Sequence, residues 1–396
     1  MRTTIPNSES DNAPGAPGGL AGSRVASDAL ADVLDRQTAV GSLWRTEGER
    51  IRCVACGHRC LIAEGRRGIC KVRFNREGRL RVPFGYVAGA QCDPVEKKPF
   101  FHVYPGTDAL TFGMMGCDFH CSYCQNWITS QALRDASSLA QVQSVTPEQL
   151  VRSGLRLNAR LVVSSYNEPL ITTEWAVAVF QQAKEAGLPC AFVSNGNATP
   201  EALDLLRPWI VAYKIDLKCF NDQRYRGLGG TLEHVTQGIR MVHERGLWLE
   251  VVTLVVPGFN DSEAELREMA RFLVSVSPDI PWHVTAFHPD FRMTEPTNTT
   301  AMQLVRAAEI GAEEGLRFVY AGNAPGRVGA WENTYCPKCR EKLVDRLGYL
   351  IRGYHITSAG ACPKCGTRIP GLWPADGAEG VASARRRRIR RREEIT

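Results

Sequence analysis

Eleven of the fourteen cysteines fall into three groups whose spacing could do chemistry. The middle group stands in Gly116-Cys117-Asp118-Phe119-His120-Cys121-Ser122-Tyr123-Cys124-Gln125-Asn126. Thiolates are soft ligands that suit zinc and iron–sulfur clusters, and three at this spacing can wrap one metal centre. The two outcomes differ in chemistry. Structural zinc closes its coordination with four ligands, here with His120 or a distant cysteine as the fourth. A cluster held by only three cysteines keeps one iron open for a substrate. The last group, Cys336 and Cys339 followed after 22 residues by Cys362 and Cys365, consists of two CPKC knuckles in the arrangement of a zinc ribbon. Four thiolates leave such a zinc no open position, so a structural role is expected. The first group, Cys53, Cys56, Cys60 and Cys70, also offers four thiolates, but at an irregular spacing. Zinc, an auxiliary iron–sulfur cluster and no metal are all compatible with it, and His58 reads as a solvated loop histidine rather than a ligand. Cys92, Cys190 and Cys219 stand apart.

Something must position these groups. Between the second and third, short β-branched or apolar runs alternate with amphipathic stretches, the pattern of repeated βα units and a parallel sheet. Seven strands are expected: Ala109 to Met115, Arg160 to Ser165, Ala191 to Ser194, Val211 to Leu217, Trp248 to Val256, His283 to Phe287 and Arg317 to Ala321. They run out into GCDFHCSYC, YNEP, NGN, KCF, PGFND, HPD and GNAPG. Polar and metal-binding residues thus gather at carboxyl ends of strands, where α/β barrels assemble active sites. Helices are expected over Thr146 to Leu157, with Thr146 capping and Pro147 in the first turn, and over Thr173 to Ala186, Thr199 to Leu206, Leu232 to Arg245 and Ser262 to Val274. A partial (β/α) TIM-like barrel, flanked by a cysteine-rich N-terminal module and a C-terminal zinc ribbon, accounts for this pattern.

CxxxCxxC directly after the first strand, with the aromatic Tyr123 before the last cysteine, resembles the signature of the radical S-adenosylmethionine (SAM) superfamily. The resemblance implies that Cys117, Cys121 and Cys124 hold a [4Fe-4S] cluster whose open iron binds SAM. Reductive cleavage of SAM would then yield methionine and a 5′-deoxyadenosyl radical, which abstracts hydrogen from a substrate. Ser165-Tyr166-Asn167-Glu168-Pro169 resembles the SGGEP-type loop of pyruvate formate-lyase activating enzymes and their relatives, with both glycines replaced. By the same resemblance Glu168 and Asn167 would meet the SAM amino group, Lys218 of the DLK segment the carboxylate, with Asp216 of that segment also at the cofactor site, Ser194 and Asn195 the ribose, and His288 the nucleoside. Tyr123 and Asn126 in the cysteine loop complete the expected contacts. EKKPFFHVYPG, the cysteine loop through QNW, SYNEP, VVPGFND and CGTRIPGLW together resemble the AmmeMemoRadiSam system radical SAM proteins over about Arg52 to Trp373. That resemblance implies a low-potential electron donor of the flavodoxin or ferredoxin type and Memo- and AMMECR-family partners; similarity to glycyl-radical activating enzymes implies hydrogen abstraction from a protein or peptide, with a nucleic acid held by the zinc modules as the alternative.

Composition is that of an ordinary globular chain, 44% hydrophobic and 23% charged. No apolar run has the roughly 18 residues of a membrane span. The N-terminal stretch lacks the basic-then-apolar pattern of a secretory signal, so a cytoplasmic location is expected, where clustered cysteines bind metal rather than pair as disulfides. The net charge of +6 owes much to Arg385–Arg388 and Arg390–Arg392; setting that run aside brings the 48 basic residues near parity with the 42 acidic ones. The expected organisation is a disordered lead-in over 1–43, the cysteine-rich module over 44–105, the barrel over 106–328, the ribbon over 329–373 and a disordered arginine-rich tail over 374–396. A second reading keeps all three cysteine groups as structural zinc sites of a binding protein, with the tail engaging nucleic acid. Iron content and SAM binding separate the two.

Overall fold

The computed structural model describes residues 30–135 and 141–377. Seven parallel strands form its centre: β1 (Asp108–Gly113), β2 (Leu161–Ser164), β3 (Cys190–Ser194), β4 (Ala212–Asp216), β5 (Trp248–Val255), β6 (Trp282–Ala286) and β7 (Val319–Gly322). They pair in chain order, all in parallel, and Gly89–Pro94 runs antiparallel along the outer edge of β1. The two outer strands do not pair with each other, so the barrel is partial. All seven strands fall where the hydrophobic runs predict, within two residues at each end.

The expected helices form as well, and for the expected reasons. The Thr146 hydroxyl accepts from the Gln149 N–H, and the Gln149 side chain answers on the Thr146 N–H, a capping box opening Pro147–Arg156. Among the described residues, Leu30–Arg36, Trp127–Ser130, Asp222–Leu228 and Ala301–Glu313 are helices outside the sequence expectations. Asp222–Leu228 is short, capped by Asn221 and ended by Gly229 at φ +95; Ala301–Glu313 carries its own capping box on Thr300 and Gln303. Among the described residues no helix is long and apolar enough to cross a membrane.

Two expected boundaries move. Residues 1–29 and the arginine run lie outside the described residues. From Leu30, however, the chain is ordered into the helix Leu30–Arg36, because Val33 and Leu34 are buried, and into the strand Thr38–Val40, which pairs with Arg79–Pro83. The edge strand Gly89–Pro94 lies within the stretch expected for the N-terminal module yet belongs to the central sheet. The N-terminal hairpins share one continuous core with the barrel. An ion pair locks the join: Arg73, only 1% exposed, donates both terminal nitrogens to Glu174 at 2.7 and 2.8 Å and a further bond to the Ile171 carbonyl.

At the other end the ribbon, Thr334–Tyr335 with Lys342–Leu347 and Leu350–Tyr354, packs against the barrel through Phe101 and His102. The buried Glu250 carboxylate accepts from the Phe101 and His102 N–H groups, from Trp248 Nε1 and from His283 Nε2. His102 Nδ1 lies 2.7 Å from the Pro370 carbonyl, which only accepts, so Nδ1 carries the proton and Nε2 accepts from the Tyr320 hydroxyl at 2.6 Å. Arg346 in the ribbon donates to the Phe101 carbonyl and lies 4.3 Å over its ring.

Replacing Glu174 by Ala leaves the Arg73 guanidinium buried without its counter-charge, a cost of about 3–5 kcal/mol. Urea denaturation is expected to register a loss of that size; a change under about 1 kcal/mol would mean that the N-terminal module is held on by other contacts.

Candidate active site

β1 ends at Gly113, and the chain passes over the top of the sheet into the cysteine loop. The same end of the barrel opens into a cavity of about 420 Å³ lined by Cys117, Cys121 and Cys124 together with residues from the ends of β3 to β7. Side chains alternate along a strand, and this sets which residues face inward: Lys214 and Asp216 on β4, Val252 and Leu254 on β5, His283 and Thr285 on β6. Tyr123, Asn126, Asn167, Glu168, Ser194, Asn195, Asp216 and Lys218 all line this one cavity. His288 does not. It is exposed, with Nδ1 3.3 Å from the Pro289 carbonyl.

Two buried carboxylates organise the loops. Asp118, fully buried, accepts from Asn195 Nδ2 at 2.7 Å and Asn197 Nδ2 at 2.8 Å. Gly196 stands between those asparagines at φ +79, and a Cβ there would lie 2.6 Å from Ile215, so only glycine lets both amides reach one carboxylate. Glu168 accepts from the Ser194 hydroxyl at 2.7 Å, the Asn195 N–H at 2.7 Å and the Leu170 N–H at 3.1 Å. Its carboxylate, expected to meet a ligand ammonium, is thus engaged by its neighbours, and the residue is 2% exposed. Burial, reinforced by the Asp118 charge, outweighs those three donors and pushes the Glu168 carboxyl up to about 8.

The cationic side is equally fixed. Asp216 accepts from Lys214 at 2.7 Å and Lys218 at 3.3 Å. Burial pulls the Asp216 carboxyl upward, but the two ammonium groups prevail and hold it at about 2. Lys218 is held at its backbone: its N–H donates to the Tyr225 hydroxyl, and its carbonyl accepts from the buried Asn260 of the PGFND loop. Tyr123 packs edge-on against Phe259 of that loop, ring centres 5.7 Å apart.

The thiols are set for a soft metal. Burial raises all three, Cys121 to about 12, so each gives up its proton only to a cation strong enough to displace it. The Phe119 N–H points at Cys117 Sγ, and the Ser130 hydroxyl lies 3.1 Å from Cys124 Sγ. His120, the alternative fourth zinc ligand, is exposed. Among the described residues, the group of three or more metal-ligating atoms that all lie within 4.8 Å of one another is Cys336, Cys339, Cys362 and Cys365. Its sulfurs approach to 3.6 Å in two pairs, close to the roughly 3.8 Å edge of a tetrahedron with zinc–sulfur bonds of about 2.3 Å. Cys117, Cys121 and Cys124 form no such group among the described residues, and all three line one cavity.

Sequence patterns leave several cavity residues unmarked. Tyr166 adopts φ +71 where the resembled loop has glycine, a conformation costing on the order of 1–3 kcal/mol. Gly113 makes room for it, since a Cβ there would fall 2.8 Å from Tyr166 Cβ. Lys98 holds its ring, donating to the hydroxyl at 3.3 Å with Nζ 5.1 Å from the ring centre. Burial lowers Lys98 to about 8 despite Asp93. The EKK segment, read in the sequence only as a family marker, therefore forms a wall of the cavity.

Residues 113–273 match the family model of the radical SAM superfamily. An uncharacterized protein of Methanocaldococcus jannaschii is 34% identical over 328 residues, 82% of this chain and 96% of that protein. The isethionate sulfite-lyase activating enzyme of Oleidesulfovibrio alaskensis is 25% identical over 128 residues, 31% of this chain and 41% of its own length, so the chain spans under half of that relative. Among solved structures, a radical SAM methyltransferase from Sphaerobacter thermophilus aligns with a TM-score of 0.44 at 15% identity, covering 74% of this chain and 81% of its own.

Glu168 supplies a pH test of the metal-free chain. Between the ordinary carboxylate range and about 8 the native state keeps a proton that the unfolded chain has released, so stability falls as pH rises through that window. Urea denaturation of wild type and Glu168→Gln across it is expected to show the fall in wild type and a flatter profile in the variant. Parallel profiles would contradict the assignment.

Proposed function

Since the chain belongs to the radical SAM superfamily, we propose that it is a SAM-cleaving enzyme in which Cys117, Cys121 and Cys124 hold a [4Fe-4S] cluster and the adjoining cavity binds SAM. The observation that carries this reading is the meeting of three thiols with a fixed Lys–Asp–Lys cluster in one cavity at the carboxyl end of the sheet. The donor set fits the group: three soft ligands, and room beside them for a cofactor. When bound, the cluster supplies one electron to break a carbon–sulfur bond of SAM, releasing methionine and a 5′-deoxyadenosyl radical.

The protein's own part is to bind, orient and exclude water. Lys218 offers an ammonium group for the cofactor carboxylate, with Asp216 and Lys214 fixing where it sits. Asn167, whose Oδ1 accepts from the Met114 N–H at 3.0 Å, and Ser194 and Asn195 form the wall toward the amino group and ribose. Glu168 acts as a positioning residue, holding Ser194 and Asn195 in register. Tyr123 and Asn126 close the loop side. Lys97, Lys98, Tyr166 and Tyr349 also line the cavity, and we assign them to the substrate, a protein or peptide from which hydrogen is removed, as in glycyl-radical activation. A flavodoxin- or ferredoxin-type donor supplies the electron, zinc fills the ribbon, and Memo- and AMMECR-type proteins are the partners the family resemblance suggests.

Cys117→Ala, Cys121→Ala and Cys124→Ala are each expected to reduce 5′-deoxyadenosine formation from SAM and dithionite to the enzyme-free level while leaving the ribbon metal in place. Retained cleavage in any of them would remove the central assignment. Lys218→Ala is expected to weaken SAM binding by about 10- to 100-fold, the range for a lost hydrogen bond to a charged group; unchanged affinity by calorimetry would move the carboxylate site elsewhere.

A further inference from the structure

The N-terminal cysteines belong to no site described so far, yet the fold brings them together. Cys53 ends the strand Arg50–Cys53, and its N–H donates to the Cys60 carbonyl at 2.9 Å, closing a hairpin whose turn carries Cys56. The Ile69 N–H donates to Cys60 Sγ at 3.4 Å, which seats the turn bearing Cys70 against the same hairpin. Cys53, Cys56 and Cys70 are buried, Cys60 is half-buried, and none forms a disulfide. Four thiols converging beneath the surface of a small module suit a metal centre better than isolated core residues.

Sulfur spacing discriminates between metals, and the chain carries its own standard. The ribbon sulfurs all lie within 4.8 Å of one another, as ligands of a single ion must; among the described residues Cys53, Cys56, Cys60 and Cys70 form no such group. The central thiols likewise form no such group among the described residues. A cubane cluster attaches each thiolate to a different iron and so requires sulfurs farther apart than one zinc does. The surroundings also differ from those of a detached zinc module. The Gly57 N–H donates to the Asn197 carbonyl at 2.8 Å, and a Cβ on Gly57 would lie 2.2 Å from Asn197 Oδ1. His58 is not a solvated loop residue: its Nε2 lies 3.9 Å from Asp118 Oδ2, and its ring meets Phe119 edge-on at 6.3 Å. The hairpin turn is thus docked on the residues next to Cys117.

We propose that Cys53, Cys56, Cys60 and Cys70 hold a second iron–sulfur cluster of the four-iron class, separate from the cysteine loop after β1 and from the ribbon zinc. The assignment does not depend on SAM cleavage. It is tested on the full chain carrying Cys117→Ala, Cys121→Ala and Cys124→Ala, purified anaerobically from iron-replete cells, with iron, acid-labile sulfide and zinc counted per chain and the iron examined by Mössbauer spectroscopy. The expected result is about four iron, about four sulfide and about one zinc. Adding Cys53→Ser and Cys60→Ser is expected to remove the iron and leave the zinc. About two zinc and no iron would overturn the proposal, and so would iron that survives the added substitutions. If the triple variant does not fold, the same count applies to the chain with its loop intact. Cys53→Ser with Cys60→Ser then lowers iron from about eight to about four per chain, and an unchanged count overturns the assignment. Absence of 5′-deoxyadenosine formation by the unsubstituted chain with this iron present would count against the SAM reading alone.

Discussion

The geometry of the site depends on two carboxylates buried beneath it. Asp118, in the cysteine loop after β1, reaches across to both asparagines of the NGN turn after β3. Glu168, in the loop after β2, binds the serine and a backbone N–H of that same turn. Three consecutive strand ends are therefore tied at one point. A buried polar group is tolerated only when it is hydrogen-bonded, so neither loop can shift without leaving a buried carboxyl unsatisfied. The constraint also makes Gly196 indispensable, because the turn must pass through a left-handed conformation to present two amides to one acceptor.

A second polar centre does comparable work deeper in the barrel. Glu250 collects the backbone of Phe101 and His102 together with His283, and the ribbon closes over them through Arg346. The FFH part of the EKKPFFHVYPG segment thus joins barrel to ribbon, while its EKK part lines the cavity. One stretch of about ten residues couples the ribbon to the site, which gives the tetracysteine ribbon a physical role in holding the cavity wall.

Much of this was legible in the sequence. β-branched runs marked all seven strands because a parallel strand buried on both faces must be almost wholly apolar, and Thr146 with Pro147 marked a helix start by its local chemistry. The cysteines and the chemistry at each strand end identified the site for the same reason: metal ligands are spaced by local geometry. What escaped was set by tertiary contact. Asp118 reads as one more polar loop residue until the NGN turn folds onto it. Glu168 reads as a ligand for an ammonium group, and the fold adds a second task, since its carboxyl also accepts from Ser194, Asn195 and Leu170. Tyr166 departs from the glycine of the resembled loop, yet the backbone keeps the glycine conformation, with Gly113 making the room and Lys98 holding the ring. His288 sits at a strand end by sequence but is exposed, and the helix Leu30–Arg36 is too short for its pattern to stand out without its packing partners.

The most direct test of the central claim is electron paramagnetic resonance of the dithionite-reduced, fully loaded enzyme, with and without SAM carrying nitrogen-15 in its amino group. The account predicts a reduced [4Fe-4S] signal that depends on the Cys117–Cys124 loop, changes shape when SAM is added and acquires hyperfine coupling to the label. A signal indifferent to SAM, or zinc in place of iron in that loop, would contradict it.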